Sequence, residues 1–191
     1  MTTVDRARTA LLLMDFQTAI LGMGGEAAAS AVEPAAAVLA AARAGGVTVI
    51  HVCLGFRPGY PEANPSNERF AQIPKTGLFV TDRPGSDVHP SLAPQANEIV
   101  VIKHRVGAFT STDLDMILRA KSIDTLVLAG ISTSGIVLST LRHAADADYR
   151  VLVVKDACAD RDPEVHRVLT EKVFAMQATV LGSAEVVAAF A

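Results

Sequence analysis

Tryptophan is absent from this chain, and aromatic residues make up only 5% of its 191 positions. Its apolar half is rich in alanine instead, a composition that suits close helix–helix and helix–sheet packing better than a β-sandwich. Cysteine is scarce as well. Cys53 and Cys158 are too few to staple a chain of this length, so they read as reduced thiols in a reducing compartment. Basic residues are in slight deficit, 17 Lys and Arg against 20 Asp and Glu, and they are scattered. A nucleic-acid surface needs clustered cations, which excludes that class of partner. No stretch reaches the roughly 18 uninterrupted apolar residues of a membrane span. Segment 26–44 comes nearest and is interrupted by Ser30, Glu33, Pro34 and Arg43. The N-terminal MTTVDRARTALLLMD holds no apolar run of signal-peptide length before Asp15. The expected address is the cytoplasm, and the expected organisation is one domain over residues 1–191.

What is present is a series of short, continuous apolar runs: Ala10–Met14, Val47–Val52, Ile99–Ile102, Thr125–Ala129, Val151–Val154 and Thr179–Leu181. Continuous rather than alternating runs suit strands covered by helices on both faces. Helix candidates lie between them at 27–44, 113–121, 134–147, 162–177 and 184–190. The pattern predicts an α/β fold, a three-layer doubly wound sandwich around a mostly parallel six-stranded sheet. Gly45-Gly46 should end the first helix, and Asp162-Pro163 should start a later one. The stretch 55–97 has little periodicity. Most of the nine prolines fall there, among them Pro58, Pro61, Pro65, Pro74, Pro84 and Pro90. Such a long connection is read as an excursion over the sheet edge or pocket, shaping a substrate site or subunit contact.

Ligands of open parallel sheets bind beyond the carboxyl ends of the strands. That rule selects Asp15, Phe16 and Gln17, then His51 to Cys53, then Lys103 to Arg105, the turn Gly130–Ile136, and Lys155 to Cys158. Asp15 follows LLLM directly, so it either caps a helix or acts as a general acid or base tuned by its surroundings. Lys103 follows IVVI, and either ends a strand in solvent or partners a buried acid. Gly130 to Ile136 matches neither a dinucleotide fingerprint nor a phosphate loop, and no cofactor is expected. Its small residues fit a strand-to-helix junction whose N–H groups face a carboxylate or developing oxyanion. His51 has no metal-ligating neighbours at useful spacing, and His89, His104, His143 and His166 are dispersed, so no metal is expected.

Three blocks in order carry a resemblance that spans almost the whole chain. They are TALLLMDFQ, VIKHRVGAFTSTDLDMILRAKSIDTLVLAG and GISTSGIVLSTLRHAADADYRVLVVKDACAD. With these, the chain resembles the isochorismatase-like hydrolase superfamily, which includes the cysteine amidohydrolases. The resemblance implies a triad of aspartate, lysine and cysteine, with Asp15 and Lys103 at the first two positions. The cysteine pattern, G-(V/I)-x-T-x-x-C-V, falls on Gly130, Ile131, Thr133 and Val137, and its cysteine position is Ile136. Isoleucine has no nucleophile, so the thioester route is closed. The isochorismatase branch also lacks the cysteine. That branch tends to carry glycine at position 136, and tyrosine, alanine and histidine where Ser132, Thr133 and Ser134 stand here, so isochorismate itself is disfavoured. Family likeness further implies a cis peptide at Ile131–Ser132 and a homo-oligomer, a dimer or larger.

The resulting expectation is a small-molecule hydrolase in which Asp15 and Lys103 act, water attacks, and Ile136 marks a degenerate nucleophile position. Phe16, Gln17, Phe56, Arg105, Ile131, Ser132 and Gly135 are the expected substrate contacts. Tyr60 and Phe109 are further candidate walls, and Arg57 a further carboxylate ligand. The alternative is a catalytically silent relative that binds a small acid or amide or scaffolds a partner. Cys53 as a displaced nucleophile is a third reading.

Overall fold

Six strands form one sheet in the order β3-β2-β1-β4-β5-β6: β1 (Thr9–Met14), β2 (Thr48–Leu54), β3 (Ile99–Lys103), β4 (Thr125–Ile131), β5 (Arg150–Ala159) and β6 (Thr179–Leu181). Every pairing is parallel, where the sequence predicts a mostly parallel sheet. This architecture comes from a computed structural model that describes residues 3–191. Met1 and Thr2, which head the N-terminal stretch read above, lie outside the described residues. The helices are α1 (Thr18–Ser30), α2 (Val32–Gly45), α3 (Ile73–Thr76), α4 (Leu114–Ala120), α5 (Leu138–Asp146), α6 (Pro163–Val168) and α7 (Ser183–Phe190).

Strand alternation distributes the LLLM run to two cores. Leu11 and Leu13 pack with Ala28, Ala35, Leu39 and Phe190 from α1, α2 and α7. Ala10, Leu12 and Met14 pack on the opposite face with Leu114, Leu118, Leu141 and Ala144 from α4 and α5. Strand order reverses between β1 and β4, so a crevice opens beyond their carboxyl ends. Gly130 sits at that junction. A Cβ there would lie 2.7 Å from Met14 O, so any side chain would wedge β1 from β4.

Several boundaries differ from the sequence reading. The candidate helix 27–44 is two helices bent by 83°, and the first begins nine residues earlier at Thr18. Pro34 lacks the N–H that a continuous helix would donate to Ser30, and Gly25 at φ 62 breaks the upstream helix. Among the described residues no single helix is long and apolar enough to cross a membrane. The sequence ends β5 at Val154, but it runs to Ala159 through an irregularity, with Val153 opposite Leu128 and Cys158 opposite Gly130. Lys155 and Asp156 turn outward there, and Asp156 accepts from Ser183 N (2.8 Å) and Ser183 Oγ (2.6 Å) at the head of α7. The candidate 134–147 begins as a wide π turn, Thr133–Val137, before α5. The 162–177 candidate likewise passes from α6 into π and 3-10 turns. Gly46, left-handed at φ 71, ends α2, and Asp162 accepts from Glu164 N at 2.9 Å to start α6, as the sequence predicts.

His51 is fully buried on β2 and explains itself through Glu98. Its Nε2 lies 3.0 Å from Glu98 Oε2, and Arg43 Nε donates to Glu98 Oε1 at 2.8 Å. Hydrogen bonding to Arg43 holds the Glu98 carboxyl at about 2, while burial lowers His51. A depressed acid stabilises the fold above its unfolded pKa, and that contribution is lost as pH falls from about 4.5 toward 2. Glu98→Gln should therefore cost on the order of 2 kcal/mol at neutral pH and flatten the acid limb of stability. Urea unfolding across that pH range checks both.

Candidate active site

Asp15 follows β1 with φ 61, a left-handed conformation that aspartate tolerates better than most residues. Its N–H donates to Val52 O at 2.8 Å, which ties this turn to β2. Lys103 closes β3, two strands away, and its Nζ reaches Asp15 Oδ2 at 2.9 Å. Both side chains are buried, at 8% and 3% exposure. Lys103 Nζ also donates to Arg105 O at 3.0 Å. The other carboxylate oxygen, Asp15 Oδ1, has no hydrogen-bond partner among the described residues. Burial pushes the Asp15 carboxyl above its ordinary value, and the Lys103 ammonium acts against that rise. A carboxylate of raised proton affinity with one free oxygen is suited to taking a proton and returning it.

The turn after β4 faces this pair. The Ile131–Ser132 peptide is cis, and Gly135 N and Val137 N both donate to Ser132 O, at 3.1 and 3.3 Å. Ser134 N donates to Asp160 Oδ2 at 2.7 Å. A π turn places Ile136 at the cavity, a distortion of the helix that recurs at functional sites.

Asp15, Lys103, Ile131, Ser132 and Ile136 line one cavity of about 340 Å³. The sequence reading brings these five together, and the structure does the same. Its other wall comes from the 55–97 excursion, through Phe70, Ile73, Leu78 and Phe79.

The remaining expected contacts lie elsewhere, and the reasons are local. Phe16 is 1% exposed in the core under α1. Gln17 spends its amide on the scaffold: Nε2 donates to Leu54 O and Ser86 O, and Oε1 accepts from Leu54 N. Phe56 is fully buried behind the wall, against Tyr60 and Phe70. Arg105 donates to Glu62 O and His104 O and lies over the Phe70 ring. Gly135 sits behind Ser132, whose Oγ would lie 2.7 Å from any Cβ added there. Tyr60 donates to Leu78 O, Arg57 pairs with Glu62 at the surface, and Phe109 stacks on His143. Cys53 and Cys158 are buried, and burial pushes both thiols up to about 12. That protonation state removes the nucleophile on which the Cys53 reading depends.

Two arginines absent from the sequence reading matter here, as does His166, which that reading weighs only as a metal ligand. Arg69 and Arg161 line the cavity, and neither forms an ion pair among the described residues. His166 Nδ1 lies 2.8 Å from Thr133 Oγ1, bracing the turn from α6. No run of sequence signals that contact, because it joins residues 33 positions apart. Among the described residues, no group of three or more His, Cys, Asp or Glu side chains is placed to hold a metal.

Residues 9–185 match the isochorismatase domain. The chain is similar to maleamate amidohydrolase from Pseudomonas putida, at 34% identity over 83% of this chain and 76% of that protein. It is similar to ureidoacrylate amidohydrolase RutB from Azorhizobium caulinodans, at 33% identity over 82% of this chain and 78% of the relative. Among solved structures, a cysteine hydrolase from Pseudomonas syringae pv. phaseolicola superposes with a TM-score of 0.90 at 25% identity, covering 100% of this chain and 95% of that one.

Proposed function

The chain belongs to the isochorismatase family, and from that premise we propose that it hydrolyses a small acid amide by direct attack of water. One observation carries the reading: a buried Asp15–Lys103 pair whose Asp15 Oδ1 has no partner among the described residues, beside an Ile136 that cannot attack. Asp15 accepts a proton from water as the water oxygen bonds to the amide carbon. Negative charge gathers on the carbonyl oxygen, where N–H groups at the head of the 132–136 turn stabilise it. As the C–N bond breaks, Asp15 returns the proton to the leaving nitrogen, so acid and amine form and the enzyme is regenerated. Lys103 keeps Asp15 oriented and limits the rise in its proton affinity.

Ile136 itself favours a second reading, in which the same cavity binds a small acid or amide without turning it over. Maleamate and ureidoacrylate, named for the two amidohydrolase relatives, separate the readings. Product formation from either is the expected result, and it should persist after iodoacetamide treatment, because both cysteines are buried protonated thiols. Loss of turnover on alkylation would contradict the water mechanism. Binding with no turnover of either amide would favour the silent reading.

A further inference from the structure

The turn after β4 is held by groups that lie outside the cavity. From this turn the cavity lining takes Ser132 and Ile136, not Thr133 or Ser134. Those two residues are instead the points at which the segment after β5 grips the turn. Asp160 Oδ2 accepts from Ser134 N at 2.7 Å. His166 Nδ1, on α6, lies 2.8 Å from Oγ1 of the fully buried Thr133. At a helix entry the N-cap residue ordinarily supplies the accepting oxygen. Ser132 holds that position and makes no capping bond with its side chain. Asp160 supplies the oxygen from another element, and its carboxylate suits the positive end of the helix. A local cap would follow the turn wherever it moved, whereas this one ties the turn to fixed scaffold. Cys158 pairs with Gly130 and Ala159 with Ile131, so strand register sets Asp160 beside the turn. His166 is fixed in its own helix, where its carbonyl accepts from Thr170 Oγ1 at 2.8 Å.

We infer that Asp160 and His166 are positioning residues: together they hold Ser134 and Thr133 so that N–H groups at the head of the turn stay aimed at the carbonyl oxygen of a bound amide. Neither residue lines the cavity, so both act through the turn alone. This rests on the hydrolase reading for the step that the turn serves, while the grip itself is a property of the free protein. Stabilisation of a developing oxyanion depends steeply on the placement of its donors. Loosening the turn therefore costs rate, and ground-state binding, set by the rest of the cavity, stays near its original value.

The test uses the whole protein and whichever of maleamate and ureidoacrylate it turns over. His166→Leu should lower kcat about tenfold, with KM within about twofold of wild type. His166→Asn, whose amide takes the place of Nδ1, should recover most of that loss. Asp160→Asn should likewise outperform Asp160→Ala, because it keeps an accepting oxygen. Thr133→Val keeps the buried volume and removes the other end of the His166 hydrogen bond, so it carries the same expectation should His166→Leu not fold. The Thr133→Val/His166→Leu double variant should be no more than about twofold slower than the slower single. Glu98→Gln, at the opposite end of β3 from Lys103, loses stability without touching the turn and should keep the wild-type kcat. An unchanged kcat in His166→Leu, no recovery with asparagine, or single losses that multiply in the double variant would overturn the inference and leave the hydrolase reading. A wild type that forms product from neither amide defeats the hydrolase reading, and the grip is then read in the free protein. Amide hydrogen exchange at Ser134 and Val137 should be about tenfold faster in His166→Leu than in wild type or His166→Asn. Unchanged exchange there would overturn this inference as well.

Discussion

Asp15→Asn should lower amide turnover by about a thousandfold, a loss of roughly 4 kcal/mol in transition-state stabilisation. The substitution keeps the size of the side chain and an acceptor for Lys103 Nζ, now 2.9 Å from Oδ2. It removes the only step that asparagine cannot perform, which is to take a proton from water and pass it to the leaving nitrogen. It also leaves the Lys103 ammonium buried beside a neutral amide, so a stability loss of a few kcal/mol accompanies the kinetic one. Circular dichroism at the assay temperature separates the two. The wild-type pH profile carries a linked signature. Burial raises the Asp15 carboxyl, and the base is active only when deprotonated, so activity should fall with acid at a higher pH than an ordinary aspartate would give. That acid limb should vanish in whatever residual activity Asp15→Asn retains. Retention of full activity in this variant would remove Asp15 from the mechanism.

Ile136→Cys should have the opposite sign. Position 136 lies on the cavity with Asp15 and Lys103, 2% exposed on its π turn. A thiol there gains a neighbouring base in Asp15 and a neighbouring cation in Lys103, the environment that turns a cysteine into a nucleophile. We expect amide turnover to rise by about a hundredfold or more and to become sensitive to iodoacetamide, which the parent is not. Trimming isoleucine to cysteine in a packed site should cost about 1–2 kcal/mol of stability. A folded Ile136→Cys protein with unchanged, alkylation-resistant turnover would show that the pair and the turn are not arranged for acyl chemistry.

The strands were legible because each is a continuous apolar run, buried on both faces in the four central strands and half-exposed at the edge strand β3, where Val100 and Ile102 face outward; the ends of those runs located Asp15, Lys103 and the 130–136 turn. The helix bend at Ala31 was less so. Alanine-rich sequence reads as unbroken helix, and within it only the missing N–H of Pro34 marks the division. Phe16, Gln17 and Phe56 show a different limit. Nearness to a strand end says that a residue is near the crevice but not which way its side chain points, and these three turn into the scaffold. Arg69 and Arg161 were passed over because an isolated arginine in a loop has no periodicity to mark it. Phe70, Ile73, Leu78 and Phe79 were hidden in a proline-rich stretch with no regular pattern. Their place on the cavity wall depends on where that stretch folds back, which is a tertiary event.

In the proposed mechanism water attacks the substrate, and no residue of this chain forms a covalent bond to it. Intact-protein mass spectrometry on samples quenched in acid during turnover tests it most directly, with Ile136→Cys run alongside as the control that should trap an acyl group. An unmodified wild-type mass is expected at every time point, with product accumulating linearly from the first turnover. A wild-type population carrying the mass of the acyl fragment, at Cys53 or at any other residue, would contradict it.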